Sequence, residues 1–270
     1  MKNYKYVVYI YNVCNVLMHE KMKPFILLLT LACIVSCGSN RRANAFLSHI
    51  DTLYQQNPAE AIIAIDSFMS CHNDMSQHNR MLLTLYRLRA QNSVGEPFAS
   101  DSLARKVVEY FDDNGSVEEQ MSAYYVLGSV YRDLDNYPEA LADYQKAVAL
   151  ADTTDGNKNN AFLNRVYGQM GDVLLSQLAF NEAGVAYSLA VRFACKDKDT
   201  LGVLLSKEQI ANVLYLQNRR DEACKLREWL HDEYLKNGFV REASKVLVPN
   251  VSTLLGSGKV EEVGRILRSY

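Results

Sequence analysis

A pattern of residue types returns about every 40 positions along this chain of 270 residues. A repeat of that length is one helix–turn–helix unit, which cannot bury its own apolar stripe, so neighbouring units must stack. Counted from Gly128, Tyr124 stands at −4, Leu127 at −1, Tyr131 at +3, Ala140 at +12, Tyr144 at +16 and Ala147 at +19. From Gly171 the same offsets give Tyr167, Met170, Leu174, Ala183, Tyr187 and Ala190, all matching in type. From Ala211 they give Lys207, Ile210, Leu214, Ala223, Arg227 and Leu230, with two departures. From Val251 the pattern is degenerate.

Two further helix pairs are predicted upstream. Ala45 to Gln56 and Pro58 to Met69 form one, with Asn57 as cap and Pro58 at the first helical position. Met81 to Gln91 and Asp101 to Phe111 form the other, punctuated by Gly95-Glu96-Pro97. The small residues opening each second helix, Ala61, Ser102, Ala140, Ala183, Ala223 and Val263, are spaced 41, 38, 43, 40 and 40. Pro249 falls inside the stretch 240–255, where a helix interior would lose a hydrogen bond and clash. A kink or two helices meeting near Val248 is expected.

These offsets resemble the tetratricopeptide repeat (TPR). Armadillo and HEAT repeats rival it on period alone, but the small-residue and aromatic offsets favour extended tetratricopeptide repeats. The resemblance covers residues 43–270 and is most specific from Ser122 to Ala190. It implies an all-α, right-handed superhelical solenoid of about six helix pairs. Gly128 and Gly171 let the paired helices approach, Ala140, Ala147, Ala183 and Ala190 do so from the other side, and Tyr144 and Tyr187 are expected to fill the gap between successive repeats. In that family the first helices line a concave groove. Carried over repeat by repeat, the groove takes Tyr125, Ser129 and Arg132, then Gly168, Asp172 and Leu175, then Glu208, Asn212 and Tyr215. Their mixture of aromatic, amide and charged groups suits an extended peptide or partner helix. The lysines of the family's carboxylate clamp are missing here, so that function is not carried over.

The N-terminus is read as a targeting segment. Lys21 and Lys23 precede the apolar run Pro24 to Ser36, whose core of about 12 residues suits a secretory signal and is short for a membrane span. Ile34-Val35-Ser36-Cys37 resembles a bacterial lipobox, with Cys37 as the lipidated residue. Residues 1–36 are therefore expected to be a signal peptide, 37–42 a tether and 43–270 the repeat domain. Residues 1–21 read as an over-long translation start, the alternative being a real extension with an uncleaved anchor. The chain as a whole resembles bacterial tetratricopeptide-repeat lipoproteins, which implies an envelope location with the repeats outside the cytoplasm.

No motif for catalysis, cofactor or metal is found. GxGxxG, GxxxxGK[ST], HExxH and GxSxG are absent, and Cys71-His72 with His78 lacks a second ligand pair. Cys71, Cys195 and Cys224 read as small buried hydrophobes. A net charge of −2 gives no basic field for nucleic acid. The expected function is a membrane-tethered scaffold for a protein or peptide partner, the alternative being a solute-binding lipoprotein taking a glycan or peptide. The last helix, Lys259 to Tyr270, carries an apolar stripe of Val260, Val263, Ile266, Leu267 and Tyr270. It is expected to be a sticky end that binds a partner or a second copy, to mark a shortened relative of a longer protein, or to be a frayed helix that tolerates exposure.

Overall fold

The computed structural model describes residues 41–151 and 158–256, with 258, 260, 261, 263 and 264. The signal segment, Cys37, most of the loop from Asp152 to Asn160, and Ile266, Leu267 and Tyr270 lie outside the described residues. What is described is helical, with no strand among the described residues. None of its helices is long and apolar enough to cross a membrane. The chain divides into two compact units, up to Gly95 and from Glu96 onward.

The first unit holds α1 (41–56), α2 (Pro58–Cys71) and α3 (Gln77–Val94). Asn57 caps α2 as its sequence predicts, its side chain accepting from the Glu60 N–H at 3.3 Å, with Pro58 in the first turn. Ala43, Ile50, Ile65, Met75 and Leu83 form one buried cluster from the three helices and the turn before α3. Beside it Phe46 stacks on Phe68 at 3.9 Å, and Phe68 on His72 at 4.1 Å.

The second unit runs through α4 (Ser102–Asn114), α5 (Val117–Asp133), α6 (Tyr137–Leu150), α7 (Asn160–Ser176), α8 (Phe180–Asp197), α9 (Thr200–Leu216), α10 (Arg220–Lys236), α11 (Val240–Val246) and α12 (Val248–Gly256). Each helix packs on its successor, with α5 on α6, α7 on α8 and α9 on α10 as the repeat pairs. The expected second pair is thus divided, its first helix in one unit and its second in the other. At Pro249 the structure has two helices, α11 and α12, separated at Leu247. Pro249 occupies the first turn of α12, where its missing N–H is harmless. Val263 is buried with Leu254, Val246 and Leu247, while Val260 is exposed.

The turns repeat as strictly as the helices. Asp135, Leu178 and Asn218, seven residues after Gly128, Gly171 and Ala211, all have left-handed backbones with φ of 57°, 60° and 63°. Gly258, seven after Val251, does the same at 75°. Lys198 and Gly238, each 27 residues after its small residue, complete a second set at 59° and 80°. At five of these turns the next residue's N–H donates five residues back, as Ala179 does to Leu174 at 2.9 Å and Phe239 to Tyr234 at 2.8 Å. This closes the helix end by satisfying carbonyls the helix leaves open.

Candidate functional site

The packing positions come first, because they set where the first-helix side chains go. A methyl group on Gly171 would lie 2.5 Å from the Tyr187 ring, and one on Gly128 would lie 2.7 Å from Tyr144 and 3.1 Å from the Ala140 carbonyl. Each tyrosine therefore lies flat over the glycine of its own pair, rather than between repeats as the sequence suggests. Ala140, Ala147, Ala183 and Ala190 are fully buried beside them.

From that position each second helix reaches the residue that follows the small one. The Tyr144 and Ser129 hydroxyls are 3.1 Å apart, and the Tyr187 hydroxyl donates to Asp172 at 2.7 Å. In the divergent third pair Arg227 occupies the tyrosine slot and donates to Asn212 at 2.9 Å. One bond thus recurs in three chemistries, always across 15 residues. Arg227 is only 2% exposed, and it also donates to Asn250 at 3.4 Å. Burial lowers its pKa. An alanine at position 211 suits this pair, since no flat ring needs the space.

A second pairing recurs with its partners exchanged. Lys146 lies over Tyr124 at 4.9 Å, whereas Lys207 takes the tyrosine's register position and meets the Trp229 ring at 4.1 Å. The cation and the ring have swapped helices, and the attraction is retained.

The expected groove residues form a polar row on α5, α7 and α9, hydrogen-bonded across pairs between α5 and α7. Arg132 donates to Gln169 of the next pair and to Asp133 at 2.9 Å, and Gln169 donates to Asp172 at 3.3 Å. Glu208 accepts from the Tyr234 hydroxyl at 3.1 Å, and Asn212 donates to Gln209 at 3.0 Å. Tyr215 has the Arg220 and Arg227 guanidiniums each 5.6 Å from its ring. Burial pushes the Asp172 carboxyl up, partly offset by the Tyr187 hydrogen bond. Gly168 faces open space in this row.

Two of the expected groove residues are corrected by the structure. Tyr125 and Ser129 are buried in the core rather than displayed. Ser129 turns back to the Tyr125 carbonyl at 3.0 Å, and Tyr125 packs on Tyr144 and on Phe162 of the next pair, both at 5.9 Å. Arg132, Asp172, Glu208, Asn212 and Tyr215 remain partly exposed.

Sequence reasoning missed the clefts. One of about 240 Å³ lies among α4, α5 and α6, lined by Arg105, Glu109, Tyr131, Asp143 and Lys146. A larger one of about 550 Å³ runs between α8 and α9, with Gly184, Val185, Leu189, Ile210 and Leu214 among its walls. The signal for the second was Val185, an apolar residue off the packing stripe and 62% exposed.

Residues 122–153 match the tetratricopeptide-repeat family model. The fold is tetratricopeptide-like. A kinesin light chain with nearly identical TPR-like repeats from Podosopora anserina is similar at TM-score 0.55 and 17% identity, over 73% of this chain and 97% of that one. The apo form of the quorum sensor NprR from B. thuringiensis is similar at TM-score 0.54 and 14% identity, over 98% and 92%. Aspartyl phosphate phosphatase F from Bacillus subtilis is similar at TM-score 0.62 and 16% identity, over 86% of this chain and 59% of its own. No curated protein sequence matches the chain.

Proposed function

We propose that this chain is a non-catalytic scaffold that binds a peptide or partner protein along its polar row and is tethered to a bacterial envelope membrane through a lipid on Cys37. The observation that carries the binding reading is the row itself. Arg132, Asp172, Glu208, Asn212 and Tyr215 sit on three consecutive first helices, partly exposed, offering both charges, an amide and a ring. Extended peptides present alternating polar groups that such a row can meet. Of the two aromatic residues expected in the row, Tyr125 is in the core and Tyr215 alone is partly exposed, which favours a protein partner over a stacked glycan. The relatives' fold supports a scaffold, one of them being described as a quorum sensor.

The tether rests on the basic flank, short apolar run and Ser36-Cys37 step of the sequence. Cells expressing the full chain, labelled with a radioactive fatty acid, should incorporate label that Cys37→Ala loses. Equal label in both would remove the tether from the reading. The binding reading is tested by retention of envelope proteins from detergent extracts on the wild type and on an Arg132→Ala/Tyr215→Ala variant of unchanged melting temperature. Retention by the wild type alone supports it, and equal retention defeats it. Association of copies through the last helix belongs to the same reading, and light scattering of residues 43–270 at several concentrations tests it.

A further inference from the structure

The cleft between α8 and α9 has features that packing does not account for. Gly184 lies inside α8, where glycine costs stability relative to alanine. Gly128 and Gly171 are required by tyrosine rings, but a methyl group on Gly184 would meet Val213 at an ordinary 3.7 Å. Nor does its backbone need glycine, since its φ is not positive. What the missing side chain does is leave open the floor of the 550 Å³ cleft. Val185, Leu189, Ile210 and Leu214 make the walls apolar, and Val185 is 62% exposed.

The charged side chains that line this cleft are both arginines. Arg192 and Arg219 line it, and no carboxylate does. They stand at opposite ends. Arg219 is near the start of α8, where Gln217 bonds Asn181 at 2.9 Å, and Arg192 is three turns further along that helix. Arg219 is held by Glu222 at 2.6 Å, whereas no ion pair among the described residues engages Arg192. Asn181 to Arg192 spans about 17 Å at 1.5 Å per residue, the length of a three-turn helix.

We propose that this cleft is a second docking site, separate from the polar row, whose occupant is a short amphipathic helix of a partner protein. Its apolar stripe covers Val185, Leu189, Ile210 and Leu214, one side chain enters over Gly184, and an acidic residue at one end pairs with Arg192. The acidic requirement follows from Arg192, which lines the cleft without a carboxylate of its own, and the single inserted side chain from the glycine floor.

Selection of short random peptides displayed on phage, with the full chain as bait, tests this. Recovered peptides should carry apolar residues at helical spacing with Asp or Glu at one end. By fluorescence anisotropy they should bind Gly184→Leu and Val185→Glu at least tenfold more weakly than wild type, and Arg192→Glu likewise. Gly184→Leu fills open space, so its melting temperature should not fall. Val185→Glu changes an exposed position and guards against the first variant misfolding. The Arg132→Ala/Tyr215→Ala variant should bind these peptides as wild type does, which separates this site from the proposed function. Peptides without acidic ends, binding unaffected by the cleft variants, or no enrichment at all would overturn the proposal.

Discussion

Gly171 and Gly184 sit 13 residues apart in one helix pair and make opposite demands on a substituent. A methyl group at 171 meets the Tyr187 ring at 2.5 Å, and that ring is 1% exposed and cannot swing away. Gly171→Ala should therefore destabilise by about 1–3 kcal/mol, as overpacking of a filled core does. Gly184→Ala has room and relieves a mid-helix glycine, so it should stabilise by about 0.5–1 kcal/mol. Urea melts of the two variants give the sign of each directly. Leu178 carries a different strain, a bulky side chain at φ 60° with 72% of its surface exposed. A left-handed non-glycine residue costs about 1–2 kcal/mol, and glycine returns part of that gain as chain entropy. Leu178→Gly should raise the melting temperature, and a fall would show that the exposed leucine is holding something in place. Asp172 adds a dependence on pH. Burial raises its folded pKa above its unfolded value of about 3.9. The folded state thus holds this proton more tightly, so the stabilisation is complete below the unfolded value and is lost as pH rises through the folded one. Asp172→Asn keeps an oxygen to accept from Tyr187 and should flatten that acid-range slope in urea melts taken pH by pH. An unchanged slope would assign it to another group.

Helix pairs conserve interactions rather than residue types, and α9 with α10 shows this most clearly. Arg227 takes the tyrosine slot, Asn212 answers it, and Ala211 replaces the glycine that a ring would need. Arg227→Tyr alone should destabilise, since Ala211 would strike the incoming ring as a methyl on Gly171 would strike Tyr187. Adding Ala211→Gly should recover much of the loss, and a double-mutant cycle in urea measures the coupling. Additive effects would mean that the arginine slot differs in shape from the tyrosine slot. The same pair marks how far the sequence could be read. The 40-residue spacing was legible from recurrence alone, and the glycine and alanine positions and the break at Pro249 because each follows from one residue's sterics. The burial of Tyr125 and Ser129 was not, because helical periodicity says which residues share a face and not how closely the next pair covers it. The partner of Tyr187 was misplaced for a similar reason, since a ring at one offset can fill either of two neighbouring gaps. The α8–α9 cleft had only Val185 as its sign in the sequence, because the space between two packed helices is set by side chains from both.

At the scale of the whole chain, each unit carries its own buried clusters, one around Leu83 and others around Tyr187 and Tyr234. In stacked repeats stability is a sum of local and nearest-neighbour terms, so a lesion is felt mainly where it is made. Leu83→Ala, at a side chain with no exposure, should cost about 2–5 kcal/mol within its own cluster. Its effect should appear in the circular-dichroism melt and leave the tryptophan fluorescence transition in place. Coincident shifts in both signals would show one cooperative block instead. That comparison is open because the chain has a single tryptophan. Trp229 stands on α10 with the Lys207 ammonium of α9 at 4.1 Å from its ring. A positive charge fixed beside an indole biases its excited-state dipole, so the colour of the emitted light registers the ammonium's position. The joint between these two helices is therefore dyed by its own sequence, and a shift in hue, not merely a loss of brightness, would mark their parting.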